Sequence, residues 1–240
     1  MNAPFLSAEW RNLLMANYAI HPEILKKYVP PHTELDTYNN ICYISLVGFM
    51  FLNTRVQGFG FPFHRNFEEV NLRFYVRFKS AEGWKRGVVF IKEIVPKHMI
   101  TFVANTIYKE KYATHRMSHE WKTDENQLHV AYRWKTKNEW NHLKATVAKE
   151  ALPIQEGSEE EYITEHYWGY TRISSTSTGE YEVKHPRWNI HPVLEYDIKC
   201  DVKALYGEEF SDTFIESPRS VFLAEGSAIQ VMKGSKAMIR

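Results

Sequence analysis

Residues 69–79 alternate without a break. Val70, Leu72, Phe74, Val76 and Phe78 take one parity, and Glu69, Asn71, Arg73, Tyr75, Arg77 and Lys79 the other. Successive side chains of a strand point to opposite faces, so this run predicts a strand with one apolar and one polar face. Around it the same signal recurs. Residues 41–52 are apolar on both parities, as a strand covered on both sides would be. Residues 84–95 form its partner across a Glu82-Gly83 turn, and residues 13–20, 112–122, 127–137, 162–172, 180–188, 196–203 and 221–232 complete the strand candidates.

Helices are few. Pro22 opens a short one, with Ile24, Leu25 and Tyr28 on its apolar side and Pro30-Pro31 ending it. Residues 96–110 predict the main helix, with Met99, Ile100, Val103, Ala104, Ile107 and Tyr108 in a stripe read as core. Many strands, regular turns and two helices point to a mainly β (α+β) chain whose curved antiparallel sheet closes into a barrel. A two-sheet sandwich is the runner-up. At 240 residues with no linker, the chain fits a single domain spanning 1–240.

Thirty Lys and Arg against 29 Asp and Glu leave no electrostatic footprint for nucleic acid or an anionic membrane. Cys42 and Cys200 read as reduced thiols. The chain starts without a basic, apolar leader, and its longest apolar run falls short of the roughly 20 residues that span a bilayer. A soluble, cytoplasmic protein is expected, with a small-molecule ligand as partner and homo-oligomerisation open.

Generic catalytic motifs are absent. Gly58-Phe-Gly60-Phe-Pro62 lacks the Lys-Ser/Thr ending of a phosphate loop, and there is neither a G-x-S-x-G elbow nor a cysteine pair at zinc spacing. His115 and His119, on one strand, would stand about 13 Å apart, too far for one ion. No metal and no cofactor are therefore expected. The polar face carrying Glu69, Asn71, Arg73 and Tyr75 could bind a small polar ligand or simply face water. Lys109 and Lys111 flank Glu110. A Schiff-base lysine must be neutral, which desolvation or a neighbouring cation promotes and Glu110 opposes.

Several strings, in order along nearly the whole chain, carry a resemblance: Trp10-Arg-Asn-Leu-Leu14, Phe67-Glu-Glu-Val-Asn-Leu-Arg-Phe-Tyr-Val76, Gly87-Val-Val-Phe90, His185-Pro-Arg-Trp188 and Phe222-Leu-Ala-Glu-Gly226. Together they resemble the YqjF-like bacterial proteins, a domain of unknown function in the acetoacetate decarboxylase-like superfamily. The resemblance implies a cone-shaped antiparallel barrel with a central cavity and helices outside. It aligns Glu69 with the decarboxylase's active-site glutamate and would turn the polar face of its strand inward, the apolar face packing beneath the outer helix. It also implies a reactive lysine at Tyr112, where this chain departs from the pattern. Lys111 stands one residue away, and Asn105-Thr106 replaces an Arg-Glu pair.

Two functional readings follow, with a third behind them. The first is a lyase- or decarboxylase-like enzyme with Glu69 as acid/base, Lys111 as amine nucleophile and Tyr112 as proton donor. Arg73 or Arg116, with Asn71 and Tyr75, would hold the ligand. The second is a barrel that only binds a small carbonyl or carboxylate compound. The third is an interaction domain with a filled barrel. The pleat argues against Lys111, because a one-residue offset sends its side chain to the opposite face.

Overall fold

The computed structural model describes residues 3–107, 110–137 and 139–237. Strands dominate, and most fall in one twelve-stranded sheet. Seven of them close a ring: Leu6–Ile20, Cys42–Val56, Phe67–Ser80, Gly83–Val95, Trp168–Arg172, Thr178–Lys184 and Ser220–Val231. The last two pair through Val183 and Val231 to complete it. Within the ring, pairing is antiparallel except where Trp168–Arg172 runs parallel to Gly83–Val95. That junction depends on Gly87: a Cβ there would lie 2.4 Å from the Trp168 carbonyl oxygen.

A separate four-stranded antiparallel sheet, Met117–Thr123, Gln127–Lys135, Trp140–Ala148 and Val193–Lys199, covers the outside. Against it lies the apolar face of the Phe67–Ser80 strand. Val70, Leu72, Phe74 and Val76 share one buried cluster with Val130, Tyr132, Trp134, Leu143 and Val147. The cover is thus a second sheet, and not the outer helix expected there. The opposite parity faces into the ring. One half of the interior is filled: the helix Glu159–Thr164 inserts Tyr162 and Ile163 among Tyr43, Val47 and Tyr75.

Several local expectations need correction. Residues 162–172 are not one strand, because a helix occupies Glu159–Thr164. Ser158 caps it, its Oγ accepting the Glu161 N–H at 3.2 Å while the Glu161 carboxylate accepts from the Gly157 N–H at 2.6 Å. Three glutamates in the first turn suit the positive helix end. The strand read at 112–122 breaks at residues 115–116, and the one read at 196–203 stops at Lys199, giving way to the helix Val202–Leu205 capped by Asp201. Trp140–Ala148 is a strand that the turn signals did not announce. The main helix is shorter than the predicted 96–110, running His98–Ile107. Among the described residues no helix is long and apolar enough to cross a membrane.

Candidate functional site

The unfilled half of the ring is a cavity of about 400 Å³. All seven ring strands line it, through Trp10, Phe49, Glu69, Val88, Trp168, Tyr181 and Val231 among others. Phe61 and Met99 also line it while remaining exposed, and so mark its mouth. Met99 and Ile100 therefore serve the cavity wall, a role the core reading of their stripe did not include.

Strand parity delivers Glu69, Asn71 and Arg73 to this wall. Glu69 is buried; its carboxylate accepts from the Asn71 amide at 2.9 Å and from the Tyr112 hydroxyl at 3.1 Å. Arg73 is half-buried, donates to the Met15 sulfur at 3.8 Å, and leaves its Nε without a partner. Tyr75 shares the parity but belongs to the filled half. Its hydroxyl meets Ser45 at 2.6 Å and its ring lies 4.7 Å from that of His166. It does not line the cavity as the sequence reading expected.

The adjoining Gly83–Val95 strand adds Val88, Phe90 and Glu93. Simple alternation from Val88 and Phe90 would send Lys92 inward and Glu93 outward. A bulge reverses this: Leu72 pairs with Lys92 but Arg73 with Phe90, so Ile91 is the extra residue. Lys92 consequently turns out to the Leu205 carbonyl, and Glu93 faces Asn71 across the wall.

Tyr112 enters by a parallel pairing with Glu93. The Asn105 side chain clamps its backbone, accepting the Tyr112 N–H at 2.7 Å and donating to its carbonyl at 3.0 Å. Residues 110 and 112 both line the cavity, whereas Lys111 is exposed, its ammonium 5.1 Å from the centre of the Tyr28 ring. Arg116, expected as a ligand clamp, follows the break between two strands and lies 5.8 Å from the centre of the Trp140 ring. Neither Lys111 nor Arg116 lines the cavity. Lys109 and Tyr108 lie outside the described residues. No lysine is among the described residues lining the cavity. His115 meets the Lys135 carbonyl and His119 the Glu68 carboxylate, so the two histidines serve different partners.

Three carboxyls, Glu69, Glu93 and Glu110, share the cavity wall. Burial pushes Glu69 up to about 7, against the hydrogen bonds of Asn71 and Tyr112 and the charge of Arg73. Glu93 is raised well above the ordinary carboxyl range by burial and by the charges of Glu110 and Glu69. Burial likewise lifts Glu110 to about 8, opposed by a hydrogen bond from Tyr181 and the charge of Lys111. Desolvation disfavours the ionised form and like charges add to it, so the wall holds protons near neutrality. Asn71 Oδ1, Glu93 Oε2 and Glu110 Oε1 have no partner.

His166 lines the same cavity beside the filled half. Its Nε2 lies 3.1 Å from Asp36 Oδ2, which also accepts from Arg86 Nε at 2.6 Å. Burial alone would raise Asp36, but His166 and Arg86 hold it at about 2. Burial pulls His166 down to about 4. An ionised Asp36 cannot donate, so the neutral imidazole carries its proton on Nε2. Glu93, Glu110, Tyr181, His166, Trp10 and Trp188 all escaped the sequence reading. Residues as far apart as Trp10 and Trp188 meet only when the ring closes.

A mainly β ring around such a cavity places the chain in the acetoacetate decarboxylase-like fold class. The acetoacetate decarboxylase of Legionella pneumophila superposes with a TM-score of 0.68, covering 98% of this chain and 88% of that one at 12% identity. The enduracididine biosynthesis enzyme MppR, solved with pyruvate, superposes at 0.66, covering 98% and 91% at 10% identity. Residues 7–228 match DUF2071, an uncharacterized conserved protein, and the chain belongs to that family. It is 28% identical over 183 residues to the uncharacterized protein YqjF of Bacillus subtilis, covering 75% of this chain and 72% of that protein.

Proposed function

We propose that the seven-stranded ring is a closed, cone-shaped barrel that binds a small carboxylate or carbonyl compound in its cavity. Arg73 carries this reading. A guanidinium whose Nε has no partner, whose described hydrogen bond goes to a sulfur, and which otherwise lies over the Tyr75 ring makes no ion pair among the described residues and lacks the anion that such a group recruits. A ligand carboxylate would supply it. Glu69 and Tyr112, joined by their hydrogen bond, would meet a carbonyl oxygen or share its proton. MppR was solved with pyruvate, which carries both groups.

An imine mechanism is not supported by the described wall. Lys111 is exposed over the Tyr28 ring just before its strand, Lys92 is turned away by the bulge, and the lysine position of the decarboxylase pattern holds Tyr112. An interaction domain with a filled interior is disfavoured by the cavity itself. The test is titration with pyruvate and hexanoate by ligand-observed NMR. Arg73→Gln should weaken both by at least about tenfold, the scale of a lost charged pair. Equal affinity in wild type and variant, or no binding of either compound, would overturn the reading. Borohydride treatment with pyruvate should leave the intact mass unchanged.

A further inference from the structure

Three buried oxygens in one region of the cavity wall, and a guanidinium N–H in another, have no hydrogen-bond partner. Asn71 Oδ1, Glu93 Oε2 and Glu110 Oε1 are all without a donor, on residues at least nine-tenths buried. Asn71 and Glu93 face each other across paired strands, and Glu110 adds its charge to Glu93. Among the described residues none of the three makes an ion pair. Two residues along the strand from Asn71, Arg73 Nε is without an acceptor. Two residues of a strand span about 7 Å, so the two regions are separate but within reach of one small molecule.

A primary ammonium has three N–H donors and no acceptor, the complement of three orphaned oxygens. It would also supply the cation that lets a buried carboxylate ionise, where an anion alone would meet like charge. The aromatic rings of Tyr112, which pairs with Glu93, and Tyr181, which meets Glu110, suit a cation further. We propose that the cavity selects a small amino-carboxylate, with its ammonium among Asn71, Glu93 and Glu110 and its carboxylate on Arg73. This rests on the carboxylate reading given above and specifies its ligand class. Since the glutamates hold protons when the cavity is empty, seating an ammonium releases protons to solvent.

The test compares 6-aminohexanoate, whose charges lie at opposite ends of an unbranched chain, with hexanoate and hexylamine. Calorimetry in two buffers of different ionisation enthalpy reads affinity and proton exchange together. The wild type should bind 6-aminohexanoate at least about tenfold more tightly than either single-ended compound and release protons on doing so. The double variant Glu93→Gln/Glu110→Gln should retain hexanoate binding and lose the preference to within about twofold. The single variants provide the same readout if the double variant fails to fold. Hexanoate binding as tightly as 6-aminohexanoate, or a preference that survives the glutamine substitutions, would overturn the proposal while leaving the Arg73 site standing. Failure of both carboxylates to bind would remove both.

Discussion

Two groups of buried acids lie within one ring and are treated oppositely by their surroundings. Asp36, beside the filled half, receives Arg86, His166 and the Thr37 N–H, so every lone pair that matters is met. It stays ionised. Glu69, Glu93 and Glu110, on the cavity wall, receive an amide and phenols but no described cation within ion-pair distance, and they hold protons up to neutral pH and beyond. Burial acts the same way on both groups; partners make the difference. A fully partnered buried charge organises structure, whereas unpartnered groups around a cavity are poised to meet something that is not part of the chain.

The most severe way to break this contrast is to remove the partnered charge. Asp36→Asn should cost about 3 kcal/mol in urea denaturation at pH 7, because it strands the Arg86 guanidinium in a partly buried setting. Glu110→Gln, by contrast, should change stability by less than about 1 kcal/mol, since the carboxyl it replaces is already largely neutral there. Equal losses from the two substitutions would show that the acids are not treated differently.

A smaller effect separates the groups by pH. Glu69 and Glu110 release their protons near 4.5 when unfolded but near 7 and 8 when folded, so the folded chain binds more protons across that window and stability falls as pH rises through it. His166 works the other way between about 4 and its ordinary 6.5, and Asp36 only between about 2 and 3.8. From pH 6.5 to 8 the buried wall glutamates dominate, Glu93 adding to Glu69 and Glu110. Wild-type stability should drop there by at least about 2 kcal/mol. Glu69→Gln/Glu93→Gln/Glu110→Gln should flatten the curve. A wild-type curve that is already flat in that interval would remove the protonated wall from the comparison.

The mildest test concerns a charge that is near the wall in sequence but faces outward. Lys111→Ala gives up an exposed cation–π contact with Tyr28, worth about 0.5 kcal/mol. It should leave pyruvate affinity unchanged and move the pH-dependent fall slightly upward, since the lysine's charge favours ionised Glu110. Loss of pyruvate binding would instead put the amine inside.

Alternation alone determined that residues 69–79 form a two-faced strand and that Glu69, Asn71 and Arg73 share a face. This worked because a pleat is a local property, fixed by backbone geometry within each residue. The same local rule argued against Lys111, one residue out of step with Tyr112. The order of most strands and the place of the main helix were also legible in runs of side chains. Ser158 and Glu161 carried a readable helix start that alternation at 162–172 obscured. Other decisions belonged to the tertiary structure. Whether the polar face met water or a cavity depended on ring closure between Val183 and Val231, far apart in sequence. Tyr75 left the site because a helix fills that half of the interior, and Glu93 entered it because a bulge at Ile91 exchanged its face with that of Lys92. Strand pairing and its irregularities are contacts between distant segments, and one extra residue reverses every side chain beyond it, so no pattern within one strand encodes the outcome.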